Sequence, residues 1–388
     1  MTTLAALSRR LRLVLCLVAL SVIGAAGVER SHAAPNVLVG IYDDTQILYG
    51  NPDRTFPLLR TLRSEILRVD LFWGGAAGVA RRKPTNGANP ADTAYNWAVY
   101  DRTVQYAARS GIKVVFSIWG TPAWANGGRG LNAAPVSAAQ LERFAYAAAR
   151  RYSGTYRGPD GRVLPAVRLW MAWNEPNFRT FLAPQYRRVG GRYIMQSAID
   201  YARICNAVYN GVHRTMVANE KVACGVTGPG GNNNPNSDRP SVSPLAFMRA
   251  MKKAGVRRFD AYAHHPYYRN RDDTPSTRLP ENASRIMLGN IDSLTRELTR
   301  LYGPKRLWIT EYGFQTNPPD RGVFGISWAR QAQYVRESFA IARKHPRIDM
   351  LLWFLLRDET RLEGWQSGLL TASGRRKPAF TAFQRLPR

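Results

Sequence analysis

Eight short runs of branched and aromatic residues recur along this chain, each bounded by turn-forming residues and followed by a longer amphipathic segment. The strand-like runs are 36–42, 66–73, 113–119, 167–173, 222–227, 259–264, 306–310 and 350–355. The helix-like segments are 56–64, 97–110, 138–152, 192–215, 244–254, 291–302, 329–344 and 378–384. Strands separated by helices pair in parallel, because a crossover helix returns the chain to the same end of the sheet. Eight such units outline a (β/α)8 TIM barrel, an α/β fold, and the stretch 34–388 has the length for one such domain. A doubly wound open sheet is the competitor, but its Gly-rich phosphate-binding turn is missing after the first strand. No repeat of solenoid length and no linker divides the stretch.

The first 33 residues read as a secretory signal peptide: Arg9, Arg10 and Arg12 precede the apolar run 13–28, and Ser31-His32-Ala33 places small residues around a cleavage point. That run is short for a membrane span, so the expectation is export, cleavage and no stable span afterwards, with the mature protein secreted or associated with the cell wall. Cys16 lacks the small residues that precede a lipoprotein cysteine. Export leaves Cys205 and Cys224, which an oxidising compartment permits to bridge; two buried free thiols satisfy the sequence equally well. The five histidines, His32, His213, His264, His265 and His345, fall in no HExxH arrangement, and no CxxC occurs, so neither metal nor cofactor is expected.

A formal charge of +28 raises the question of a nucleic-acid partner. Only eight of the 55 basic residues are lysines, the arginines are spread along all but the last of the expected helices, and no nucleic-acid-binding motif accompanies them. For an exported chain the charge fits attraction to anionic wall polymers, acidic polysaccharide or a membrane surface better.

The chemistry concentrates where two strands stop. Leu169-Trp170-Met171-Ala172-Trp173-Asn174-Glu175-Pro176-Asn177 and Leu307-Trp308-Ile309-Thr310-Glu311-Tyr312-Gly313-Phe314 each end an apolar run at a glutamate followed by turn residues. In a barrel this places both carboxylates at the C-terminal face, where sites are built. Cleaving a glycosidic bond takes two such groups, one to protonate the leaving oxygen and one to stabilise the oxocarbenium-like centre. Glu175, set among Trp170, Trp173, Pro176 and Phe178, is expected to hold its proton by desolvation. Glu311 is expected to be ionised and oriented by donors, with Arg68 and Tyr267 as candidates. The loops at 74–95, 227–243 and 357–367 carry the unusual Gly, Asn, Pro and charged composition of that face.

With Trp173-Asn174-Glu175-Pro176-Asn177 after the fourth strand and Thr310-Glu311-Tyr312-Gly313 after the seventh, the chain resembles the retaining glycoside hydrolases of clan A, the 4/7 superfamily, in texture closest to families 39 and 5. The resemblance spans the mature chain. Arg68 matches the strand-two arginine, Trp119 with Thr121-Pro122-Ala123-Trp124 the aromatic subsite after strand three, His265 and Tyr267 the His-x-Tyr after strand six, and Trp353 the strand-eight tryptophan. It implies double displacement, with Glu175 as acid then base and Glu311 as nucleophile. Asn174 would bind the sugar 2-hydroxyl, Arg68 and Tyr267 would aim Glu311, and Trp119, His265 and Trp353 would complete the substrate-binding set, with Trp353 as an apolar floor. The leading expectation is therefore a secreted retaining β-glycosidase acting on a carbohydrate substrate, an extracellular or cell-wall polysaccharide or oligosaccharide. The alternatives are a catalytically inactive glycan-binding protein on the same barrel and a basic wall-associated or nucleic-acid-binding protein.

Overall fold

The computed structural model describes residues 37–388, so the signal read at 1–33 lies outside the described residues. Eight parallel strands close on themselves: β1 (Leu38–Tyr42), β2 (Ile66–Phe72), β3 (Lys113–Trp119), β4 (Leu169–Ala172), β5 (Lys221–Thr227), β6 (Ala261–His264), β7 (Arg306–Tyr312) and β8 (Ile348–Phe354). Each pairs with its sequence neighbours, and β1 meets β8 in register from Leu38 opposite Met350 to Tyr42 opposite Phe354, which leaves the sheet without an edge. Around it run α1 (Pro52–Thr61), α2 (Ala98–Arg109), α3 (Ala138–Arg151), α4 (Gln196–His213), α5 (Pro244–Lys253), α6 (Ile291–Tyr302), α7 (Trp328–Lys344) and α8 (Pro378–Gln384). The described residues thus form a (β/α)8 barrel, and among them no helix is long and apolar enough to cross a membrane.

The two-residue period of a strand sorts the core into two layers. Ile66, Val115, Met171, Ala261, Ala263, Trp308, Met350 and Leu352 fill the barrel's interior. Their neighbours Leu67, Val114, Trp170, Tyr262, Leu307 and Leu351 face outward and pack against the helices. That alternation decides which side chains at the strand tops reach the site.

Two sequence expectations change. The helix read at 192–215 begins only at Gln196, because Gly190 and Gly191, with φ of 53° and 80°, form a two-residue turn that folds Arg187–Val189 onto Arg192–Ile194 as a hairpin. The first helix starts earlier than read, with Asn51 accepting a hydrogen bond from the Asp53 amide and Pro52 at its first position. Of the two open readings for the cysteines, the structure takes the bridge: Cys205 on α4 and Cys224 on β5 are bonded, with 5.9 Å between their Cα atoms.

Candidate active site

β4 ends in a backbone that ordinary residues avoid. Trp173 and Glu175 have φ of 76° and 34°, a left-handed conformation costing on the order of 1–3 kcal/mol per residue and concentrated at functional positions. The consequence is directional. Trp173 stays in the helix-facing layer, with its indole Nε1 donating to the Phe181 carbonyl at 2.7 Å, while Asn174 and Glu175 turn into the cavity above the barrel. Gly228 is required opposite them: a Cβ there would lie 2.2 Å from the Phe178 ring and 3.0 Å from the Glu175 carboxyl carbon.

β7 reaches the cavity by another device. Along it Leu307 and Ile309 face outward, so strict alternation would send Glu311 outward as well. Between the pairs Ile309–Leu351 and Tyr312–Trp353 the register slips by one residue, and this bulge turns Glu311 inward.

The two carboxylates share one buried polar network. Arg68, fully buried at the inner face of β2, donates through Nη1 to Glu311 Oε1 at 2.6 Å and through Nη2 to Asn174 Oδ1 at 2.8 Å and Asp70 Oδ1 at 3.0 Å. Tyr267 donates its hydroxyl to the other Glu311 oxygen at 3.2 Å. Because a guanidinium has only donors, Asn174 must face it with its oxygen, which leaves the amide Nδ2 for a ligand. The same argument sets the tautomer of His265. Its Nε2 lies 3.2 Å from Arg68 Nη1 and 3.0 Å from Thr310 Oγ1 and must accept, so Nδ1 carries the hydrogen and donates to Glu175 Oε1 at 2.9 Å. Glu175 then protonates on Oε2, the oxygen without a partner among the described residues.

Glu175, His265 and Glu311 each bring one donor atom within 4.8 Å of the others. A cation could use such a spacing, but the His265 nitrogen in this set is the protonated Nδ1, which offers no lone pair, and the Arg68 charge sits 2.6 Å from Glu311. One oxygen of each carboxylate thus lies within 4.8 Å of one oxygen of the other.

Burial pushes the Glu175 carboxyl up to about 7, against the pull of Arg68 and Arg285. Burial raises Glu311 too, opposed by His265 and Arg68, so desolvation acts on both carboxyl groups. The difference lies in hydrogen bonding. Glu311 has donors on both oxygens and is the member that ionises first, whereas Glu175 keeps the proton. His265 is pushed down to about 4 by burial and is neutral at neutral pH, which leaves Arg68 as the resident charge.

These groups open onto a cavity of about 670 Å³. Of the residues singled out in the sequence, Glu175, Glu311, Asn174, Tyr267 and Trp119 line it. Trp119 is held by its indole nitrogen, which donates to Asp70 Oδ2 at 2.9 Å. Arg68 and His265 lie beneath the floor, fully buried, and act on the carboxylates rather than on a ligand. Trp353 is a correction: as an outward position of β8 it is fully buried in the helix-facing layer, with its nitrogen donating to the Ser367 carbonyl, and the aromatic surface expected of it comes from Phe354 and Trp365. His264, one residue before the useful histidine, contacts Thr227 Oγ1 and the Ile286 carbonyl and is structural. Asp44, Tyr42, Phe178 and Arg285 also line the cavity and were not singled out as ligand groups. Asp44 had a legible signal, an acidic residue just past the first strand's C-terminal end. Arg285, from a polar loop, had none. A larger depression of about 760 Å³ lies at the start of α2, where Asp101 is already engaged by Arg151 and Tyr152.

No family model and no curated protein matches the sequence. Solved structures do match. A family 39 glycoside hydrolase from Bacteroides cellulosilyticus WH2 superposes with a TM-score of 0.62 at 19% identity, over 90% of this chain and 64% of its own. A glucosidase from Croceicoccus marinus gives 0.61 at 14% identity, over 89% of this chain and 66% of its own. A β-glucosidase from Exiguobacterium marinum gives 0.57 at 15% identity, over 91% of this chain and 98% of its own. The barrel is therefore the one used by family 39 and related glycoside hydrolases, and the chain spans just under two thirds of the length of the first two.

Proposed function

We propose that the protein is a retaining β-glycosidase that hydrolyses an extracellular or cell-wall polysaccharide or oligosaccharide after export. The observation that carries this reading is the carboxylate pair: Glu175 and Glu311, delivered by a left-handed turn on β4 and a bulge on β7, with oxygens within 4.8 Å and unequal donors.

In this mechanism a substrate lies with its anomeric carbon over Glu311 and its glycosidic oxygen at Glu175 Oε2. Glu311, aimed by Arg68 and Tyr267, attacks the anomeric carbon while Glu175 gives its proton to the departing oxygen. The covalent glycosyl-enzyme is then hydrolysed by water that the now ionised Glu175 deprotonates. The His265 hydrogen bond to Oε1 keeps the moving proton on the cavity side in both steps. Asn174 Nδ2 is placed for a ring hydroxyl whose hydrogen bond strengthens in the transition state. Phe354, Trp365 and Trp119 supply apolar faces for the sugar. Export rests on the sequence of residues 1–33, and a wall location on the +28 charge.

A panel of aryl β-glycosides and polysaccharides, assayed with the wild type and Glu311→Ala, tests the reading. Turnover that disappears in the variant supports it. Glycan binding without turnover in the wild type would point instead to a non-catalytic glycan-binding protein.

A further inference from the structure

We propose that the leaving-group side of the cavity receives a sugar residue carrying a negative charge, so that the substrate is an acidic glycan with a neutral residue at the nucleophile; this rests on the glycosidase reading above. The cavity is electrostatically polarised along the bond to be cut. On the nucleophile's side Tyr42, Asp44 and Asp70 surround Arg68 and Glu311, with Asp70 accepting from the Tyr42 hydroxyl at 3.1 Å. These are acceptors for sugar hydroxyls, and the cation among them, Arg68, is already paired with Asp70 and Glu311, so no free cation is offered to a carboxylate there. On the acid's side stands Arg285, which pairs with Gly230 in the loop whose Gly228 lies against the Glu175 carboxyl, and which lowers the Glu175 proton affinity. Whatever lies beside the acid faces the oxygen being protonated, and hence the departing residue.

Arg285 is half-buried yet makes no ion pair among the described residues. Its guanidinium packs against Gly230, where a Cβ would meet it at 3.4 Å, and its one hydrogen bond is a long one, 3.4 Å, to the Tyr267 carbonyl. Arg269, the other arginine lining this cavity, is already neutralised by Asp273 at 2.6 Å. A partly desolvated guanidinium with most of its donors unused is a receptor for a planar or tetrahedral oxyanion. A second feature extends the argument. Phe178, packed beside the Glu175 carboxyl, also walls a neighbouring depression of about 510 Å³ lined by Arg179, Arg239 and Asp238, in which two basic side chains face one acidic one. The positive lining therefore continues outward on the leaving-group side.

The test first identifies the neutral glycon from turnover of uncharged aryl β-glycosides. It then compares kcat/KM for two disaccharides of that glycon whose leaving residue differs only in bearing a C6 carboxylate or a C6 hydroxymethyl group. The wild type should favour the carboxylate roughly ten- to hundredfold at low ionic strength, the range for one or two hydrogen bonds to a charged group, and salt should shrink the ratio. Arg285→Gln should bring the ratio near one, with Arg285→Lys between. Equal rates for the wild type on both disaccharides, or an undiminished ratio in a folded Arg285→Gln, would overturn the proposal while the aryl glycosides still uphold a glycosidase. No turnover of any aryl glycoside or disaccharide would reject the glycosidase reading and the proposal with it.

Discussion

Replacing Arg68 with methionine removes the one positive charge that sits between the site's carboxylates while keeping most of the side chain's volume. The guanidinium is fully buried, lies 2.6 Å from Glu311 and 3.0 Å from Asp70, and stacks 4.2 Å over the Tyr42 ring. Taking one partner out of a buried ion pair leaves an uncompensated charge and costs about 3–5 kcal/mol. Here two carboxylates lose their partner, which places Arg68→Met at the upper part of that range. The variant escapes part of the cost by keeping a proton on Glu311. Arg68 lowers that group's proton affinity, so its loss raises the pKa further, and the acidic limb of the activity profile moves to higher pH because the nucleophile must be ionised. Loss of an aimed, ionised nucleophile should reduce kcat by about 10²–10³ fold. Arg68→Lys keeps the charge without the planar fork that reaches Glu311, Asn174 and Asp70 together, and should fall between the two. Urea unfolding of the three proteins, with kcat against pH for each, reads all of this. An Arg68→Met protein within about 0.5 kcal/mol of wild type, with an unmoved acidic limb, would refute the reasoning, since surface substitutions already span that much.

In the proposed mechanism the basic limb of the profile belongs to the acid. With Glu175 held up to about 7 by burial, kcat/KM should decline as pH rises through about 7, and a basic limb unchanged in Glu175→Gln would assign it elsewhere. Glu175→Ala should slow substrates with poor leaving groups far more than activated aryl glycosides, and an equal loss on both would remove it from the acid role. Reducing the Cys205–Cys224 bridge, which joins residues 19 apart, should destabilise the barrel by about 3 kcal/mol, seen as a lower urea midpoint in reductant; no shift would deny the bridge a role in stability.

The alternation of apolar runs and amphipathic segments made the barrel legible, because parallel strands buried on both faces leave a continuous hydrophobic signature. The pair Glu175 and Glu311 was legible for a related reason: a glutamate that ends such a run has nowhere to go but the strand top. The pointing of side chains was not. Trp353 and Phe354 are adjacent and both aromatic, and only the phase of β8, set by its pairing with β1, sends one to the helices and the other to the cavity. Glu311 faces inward through a bulge that no spacing rule announces, and His264 and His265 divide between structure and site by the phase of the alternation on β6. Arg285 enters the cavity from a loop without periodicity, where its position depends on the Gly230 backbone beneath it.

The central claim is double displacement through Glu311, and proton NMR of the first product formed tests it most directly, before mutarotation mixes the anomers. The account predicts a product with the anomeric configuration of the substrate, as two successive inversions require. Initial release of the opposite anomer would contradict it, because a water would then have attacked where the structure places the Glu311 carboxylate.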